Sequence, residues 1–465
     1  MSNTNIVVVS VPRPPLEPVF QRAPNRSIEL PFDILDHIFS YLKSHPKALL
    51  ACSKAHPVFS RIVERYRFHH IIISTGFGAS NFADSFDPSD LRRQLAETPQ
   101  IAKYVTALQI EFNYVQHPSP CPMASFWDET ALRLLTPYLE EIASLLTMFP
   151  VLECIMFPTL SFAFQAVWQE NRFRTAMENC LHLPTLQEVH VGDMSFPLSM
   201  LNNLANINYL ALSGPPKIES QCLETTFPQI KSLALQGFEH RSSSVFRTWA
   251  KRHIIGLQSL KYDLSCYQII LDVFKICSDT LENLCLCFRR QGTPRKLSSR
   301  LAWHRAEILD LGQVDLIDLS SLSHLRHLTI HVEIFFWYDD SDDCICSTYL
   351  PKAVEILETV SSLHQLTIEI YVDPANLNKI ERINLSPLGV LTKSSVCFPH
   401  IDLYMYTGAP WCCVTPTIMD SLLAKHKGLM ELVELGVLAV HPEETAPTLS
   451  RSYIAKENNN PCIIM

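Results

Sequence analysis

The sequence predicts an α/β protein, in which a short three-helix segment precedes a long, irregular solenoid of strand-bearing repeats. Three observations carry that expectation. The segment LPFDILDHIFSYL places Ile34, Leu35, Ile38, Phe39 and Leu42 at helical spacing, and SHP at 44–46 stops it. An apolar-x-x-apolar-x-apolar unit then recurs from about residue 100 onward. Hydrophobic residues make up 47% and charged residues 18%, a composition with ample apolar surface to bury.

A chain of 465 residues has room for two to four ordinary domains or one long repeat array. The net charge of −9 argues against non-specific binding to nucleic acid or anionic lipid, which needs a basic surface. With only 12 Gly, phosphate-cradling loops are not expected, and neither GxGxxG nor GxxxxGK[ST] occurs. The 31 Pro instead punctuate many short elements. The 15 Cys are scattered without a regular framework and read as reduced, buried thiols. Ile6 to Val9 is too short for a secretory core, and no apolar run approaches the roughly 20 residues of a membrane span. The expectation is a soluble protein of the cytoplasm or nucleus.

Residues 1–27 are polar and proline-rich and read as a flexible tail. Residues 28–70 change character. Pro31 suits a first helical turn and Asp33 its positive end. A second helix follows through Ala48, Leu49, Leu50 and Cys52. Pro57 opens a third, with Phe59, Ile62, Val63 and Tyr66 on one face. So small a bundle carries more apolar surface than it can bury on itself.

The solenoid is expected over residues 100–440, with a flexible tail at 441–465. Copies of its unit stand at Val105/Leu108/Ile110, Leu152/Ile155/Phe157, Leu186/Val189/Val191, Ile207/Leu210/Leu212 and Ile230/Leu233/Leu235. Others stand at Leu257/Leu260/Tyr262, Leu281/Leu284/Leu286, Leu325/Leu328/Ile330, Leu363/Leu366/Ile368 and Leu432/Leu435/Val437. Weaker copies lie at Leu309/Leu311 and Ile401/Leu403. Starts at 186, 207, 230, 257 and 281 match the roughly 20–29 residue leucine-rich repeat. Each unit is amphipathic and must stack on neighbours, its last apolar pair forming a short strand with one face buried. A proline-rich loop and a helix over Trp127–Phe149 interrupt the rhythm, as does the acidic loop WYDDSDDC. The repeat lacks the consensus Asn, and an α/β domain with an open parallel sheet is the competing architecture.

No catalytic constellation is present: GxSxG, HExxH and CxxC…CxxC are all absent. Cys285/Cys287, Cys344/Cys346 and Cys412/Cys413 have the wrong spacing for zinc knuckles, and i,i+2 cysteines share a strand face simply by pleating. The cluster Asp339, Asp340, Asp342, Asp343 lacks the Gly and terminal Glu of a calcium loop. No metal or cofactor is expected. Within each unit, the residues flanking the fourth position point away from the core. They would line a concave, substrate-facing sheet at Glu188, His190, Tyr209, Ser232, Ser259, Lys261, Asn283, His327, Thr329, Gln365 and Thr367.

The segment from Leu30 to about Tyr66 resembles an F-box: Leu30-Pro31, acidic Asp33, Ile34-Leu35, Ile38-Phe39, Leu42, a Leu49-Leu50 helix and an apolar third helix. Cys52-Ser53-Lys54-Ala55-His56 stands where the family usually has Val-Ser/Cys-Lys-x-Trp. The downstream IAKYVTALQIEF and the repeats are similar to the large F-box families of mushroom-forming fungi. The resemblance implies a non-enzymatic substrate adaptor of an SCF-type cullin–RING ubiquitin ligase. Its F-box would dock the Skp adaptor, bound in turn to a cullin, and its repeats would hold an unknown substrate protein for ubiquitin-dependent degradation. Carried over by position, the docking face comprises Leu30, Pro31, Ile34, Leu35, Ile38, Phe39 and Leu42. Two other classes stand beside it: a non-catalytic repeat scaffold without ligase association, and a hydrolase or transferase hidden in an irregular α/β domain. Finally, Cys462-Ile463-Ile464-Met465 is a CaaX pattern, in which Met favours farnesylation of Cys462. A single lipid of that kind would give only marginal, reversible membrane association.

Overall fold

The computed structural model describes residues 31–42, 46–75, 85–112, 124–157, 167–168, 170–192, 196–201, 206–213, 230–236, 243–263, 267–288, 317–334, 346–360, 363–372, 383, 385–392, 400–407 and 416–441. Leu30, Leu309/Leu311, the acidic loop with its four Asp, Cys344, Cys412, Cys413 and Cys462 lie outside the described residues, as does the 1–27 tail. The chain divides into two compact units, Met1–Arg67 and Phe68–Met465.

The first unit holds helices α1 (Phe32–Ser40), α2 (Pro46–Ala55) and α3 (Pro57–Arg67). Leu35, Phe39, Leu49, Ile62 and Val63 form its buried cluster, with Leu42, Cys52, Phe59 and Tyr66 packed around them. Phe39 meets Phe59 edge-on, with ring centroids 5.4 Å apart. The Tyr66 hydroxyl donates to the Asp36 carbonyl at 2.9 Å and ties α3 to α1. The apolar stripe of α1 therefore splits. Leu35 and Phe39 follow one line down the helix and are buried in the bundle, with Leu42 partly buried against them. Ile34, Ile38 and Tyr41 follow the adjacent line and face outward at 45%, 47% and 70% exposure. Spacing alone cannot separate two neighbouring lines that are both apolar.

The second unit is built on one sheet. Its strands are β1 (His70–Thr75), β2 (Ser85–Phe86), β3 (Ala107–Phe112), β4 (Cys154–Phe157), β5 (Glu188–Val191), β6 (Tyr209–Ser213) and β7 (Ser232–Gln236). They continue as β8 (Ser259–Asp263), β9 (Asn283–Phe288), β10 (His327–Ile334), β11 (Gln365–Val372), β12 (Ile401–Thr407) and β13 (Leu438–His441). All 13 strands join one sheet in chain order, except that β2 lies outside β1 at the edge. Its pairings are parallel throughout. A sheet laid down strand by strand lacks the central reversal of strand order that defines a doubly wound sheet.

Between the strands run helices α4 (Pro88–Glu97), α5 (Ala124–Leu146), α6 (Asn171–Leu181), α7 (Ser243–His253), α8 (Tyr267–Cys277), α9 (Cys346–Leu357), α10 (Pro416–Ala424) and α11 (Lys427–Glu434). Asp87 caps α4 by accepting from the Ser89 amide at 2.9 Å, and Glu170 caps α6 from both Arg172 and Phe173. Leu91, Leu139, Phe173, Trp249 and Phe274 from these helices share one core with the strand residues Leu108, Ile155, Val189, Leu210, Leu260 and Leu328. The helices thus cover the face formed by the fourth and sixth positions of each unit. No described helix is long and apolar enough to cross a membrane.

A backbone device recurs at eight of the strand junctions. The carbonyl of the residue after the unit's first apolar position accepts two N–H groups from the next repeat. The Thr106 oxygen takes the Glu153 and Cys154 amides at 2.8 and 2.9 Å, and the Glu153 oxygen takes those of Gln187 and Glu188 at 2.8 and 2.9 Å. His69, Gln187, Lys231, Gln258, Glu282 and Arg326 repeat the arrangement.

The sheet departs from expectation at both ends. It begins at His70 rather than near residue 100, and Phe68/Ile71/Ile73 is a further copy of the unit, each member buried. Leu432/Leu435/Val437 is not a strand unit: Leu432 is buried on α11, and Leu435 stands 74% exposed at its end. Gly436, at φ +69°, ends that helix. Its amide reaches the Val433 oxygen and the Val437 amide the Leu432 oxygen, both at 3.0 Å, a Schellman turn that aims the chain into β13. The interrupting helix is α5, while Ile401/Leu403 opens β12.

A Cβ at Gly436 would meet nothing within 4 Å, so substitution there tests backbone conformation alone. Gly436→Ala should cost about 1–2 kcal/mol in urea unfolding, and Gly436→Asn, which tolerates left-handed φ, visibly less. Equal costs would assign the effect to something other than φ.

Candidate binding face on the parallel sheet

The side of the sheet turned away from the helices is arranged in rows that the parallel register sets. The first row runs Cys154, Glu188, Tyr209, Ser232, Ser259, Asn283, His327 and Gln365, each facing the next across neighbouring strands. The second runs His190, Ala211, Ala234, Lys261, Cys285, Thr329, Thr367, Asp402 and Ala439. Glu188, Tyr209, Ser232, Ser259, Asn283, His327 and Gln365 lie in the first row, and His190, Lys261, Thr329 and Thr367 in the second. None of these eleven is buried.

A third row, which the sequence reading did not single out, runs Asp263, Cys287, His331, Glu369, Tyr404 and His441. Asp263, Cys287, His331 and Glu369 are buried, although they face away from the helix-covered core. His331 places Nδ1 3.2 Å from a Glu369 oxygen, with both side chains nearly sealed from solvent. A signal existed: β9 to β12 continue their alternation past the sixth position, through Phe288, Val332, Ile370 and Met405, so each strand carries one more outward residue.

Titratable groups gather at two places on the face. Near β12 and β13, the 6%-exposed Asp402 carboxylate accepts from Gln365 Nε2 at 2.7 Å through one oxygen. Its other oxygen takes His441 Nε2 at 2.6 Å and His400 Nε2 at 3.1 Å. Burial alone would raise the Asp402 pKa, but the Gln365 and His441 hydrogen bonds and the charges of both histidines outweigh it, leaving the group below the usual carboxylate value. An ionised carboxylate only accepts, so both imidazoles carry their proton on Nε2 toward it. The His441 ring also stacks on Tyr404, centroids 4.4 Å apart and 14° from parallel. His327 and Asn283, cross-strand neighbours, are joined at 2.8 Å.

On β4 and β5, Cys154, Glu188 and His190 converge, their potential ligand atoms all within 4.8 Å of one another. His190 Nε2 lies 3.6 Å from Glu188, and the ring packs 5.1 Å from that of Tyr209. The His190 hydrogen bond holds the Glu188 carboxyl below its ordinary value; burial opposes this, while the His190 charge and a Cys154 hydrogen bond add to it. The sequence reading named Glu188 and His190 as surface residues but missed Cys154, which sits opposite Glu188 in the register. Midway, Cys285 and Cys287 share one face with sulfurs 3.8 Å apart. The Cys287 thiol is pushed well up, by its bond to Cys285 first and burial second, which leaves it a poor nucleophile.

Replacing Asp402 with Asn would turn the oxygen that accepts from Gln365 into an amide donor facing another donor, a loss on the order of 1–3 kcal/mol in denaturant unfolding. Because its folded pKa is depressed, Asp402 contributes stability above its unfolded value near pH 4 and loses it as pH falls through the folded value. The acid limb of the stability curve should therefore be shallower in Asp402→Asn; an unchanged limb would show the carboxylate is not linked to folding.

No protein-family model matches the chain, and no curated protein matches it.

Proposed function

We propose that the chain is the substrate-recognition adaptor of an SCF-type cullin–RING ubiquitin ligase. The helices at 32–67 act as an F-box that docks the Skp adaptor, and through it the cullin. The parallel sheet unit acts as a divergent leucine-rich-repeat-like solenoid whose polar face receives a substrate protein in the cytoplasm or nucleus.

The single observation that carries this reading is where exposed apolar surface lies. Of eight large hydrophobic side chains exposed among the described residues, six belong to the three short helices: Phe32, Ile34, Ile38, Tyr41, Leu50 and Val58. The far longer sheet unit has only Ile255 and Leu435. Surface that a small bundle leaves uncovered in this density suits a helical partner laid against it. The rows of small hydroxyls, amides and imidazoles on the sheet form an extended polar face, which suits a protein surface.

The test is binding of the full chain to a purified Skp adaptor, with Ile34→Asp/Ile38→Asp as the variant. Both side chains are outside the bundle core, so helicity should persist while affinity falls roughly a hundredfold or more, as for the loss of two central hot-spot residues. Leu35→Ala, by contrast, should weaken the bundle itself by about 2–4 kcal/mol. Full affinity in the double Asp variant would refute F-box docking and favour the repeat scaffold.

A further inference from the structure

We propose that Cys154, Glu188 and His190 form a zinc site on the polar face of β4 and β5. The donor set is the first argument. A thiolate, an imidazole and a carboxylate are the three side-chain ligands zinc takes, and the soft sulfur disfavours calcium and magnesium. Thiolate and carboxylate together carry two negative charges, which a divalent cation balances.

Geometry is the second argument. Donor atoms all lie within 4.8 Å of one another, with His190 Nε2 already 3.6 Å from Glu188. Bonds of about 2.0–2.3 Å at tetrahedral angles put ligand atoms roughly 3.3–3.8 Å apart, so closure needs side-chain adjustment of about 1 Å and no backbone movement. Cys154 and Glu188 face each other directly across two parallel strands, and His190 lies two residues along the same face.

Rigidity is the third. The Cys154 amide is pinned to the Thr106 oxygen and the Glu188 amide to the Glu153 oxygen, both at 2.9 Å. Two of the three ligands thus stand on backbone that the sheet holds fixed, and packing against Tyr209 restrains the third. Glu188 is about half exposed at 52%, so three protein ligands would leave one tetrahedral position open on the accessible side.

The experiment uses the full chain stripped of metal, titrated with Co²⁺ and then with Zn²⁺. The expected result is one equivalent of tetrahedral cobalt with a sulfur-to-metal charge-transfer band, displaced by one equivalent of zinc. Cys154→Ser should abolish that band, with Cys154→Ala and circular dichroism guarding against a folding defect. Glu188→Gln and His190→Gln should each weaken zinc binding roughly tenfold or more. Absence of a thiolate band in the unsubstituted chain would overturn the proposal. So would a band undiminished in Cys154→Ser, which would place the metal on other cysteines, or unchanged zinc affinity in His190→Gln. Adaptor binding plays no part in these readouts, so the site stands or falls apart from the ligase reading.

Discussion

Register in the large unit is set at the start of most strands, where one carbonyl takes two N–H groups from the following repeat. The Gln258 oxygen, for example, holds the Glu282 and Asn283 amides at 2.9 and 3.0 Å. Only backbone atoms take part, so the residue supplying the carbonyl is unconstrained. His69, Thr106, Glu153, Gln187, Lys231, Gln258, Glu282 and Arg326 all serve. That freedom explains how a repeat without a consensus Asn still stacks. It also explains the strictness of the apolar positions: a slip of one residue would turn Leu260 and Leu284 to the polar face and bring Lys261 and Cys285 into the core.

Much of the strand pattern was legible because burial imposes it. Leu108, Ile155, Val189, Leu210, Leu233, Leu284, Leu328 and Leu366 are all essentially inaccessible, as a one-faced strand requires. Legibility failed where two structures satisfy the same spacing. In Leu432/Leu435/Val437, a helix terminus and a left-handed glycine reproduce the apolar spacing of a strand. The first copy, at Phe68, follows directly on the helical stripe of α3 and runs into HHIII, where neither a period of two nor one of 3.6 stands out. The site was legible as a face but not as groupings. Cys154 meets Glu188, and Asp402 meets His441, only because strands distant in sequence are neighbours in the sheet.

Chemistry on that face is uneven. Between its two acid–imidazole groupings, the second row passes through Ala211 and Ala234, whose small side chains are buried. Polarity deepens along the strand direction: the first row is open or half-open, whereas the third row buries Asp263, His331 and Glu369. A buried acid–imidazole pair such as His331–Glu369 contributes little net stability against an apolar pair, but removal of one partner leaves the other stranded at a cost of several kcal/mol. Such a pair tolerates joint replacement far better than single substitution.

Among the described residues, the sheet's border strands are short. β2 has two residues and β13 four, whereas β10 and β11 have eight each. Parallel strands in the interior of a sheet satisfy their amides on both sides, whereas a border strand has a strand neighbour on one side alone and is the template to which an extended peptide could add. Tapering the borders shortens that template below the length on which a foreign strand gains much by pairing. The long β10–β11 ladder can thus be strongly hydrogen-bonded while the short borders offer a foreign strand little to pair with.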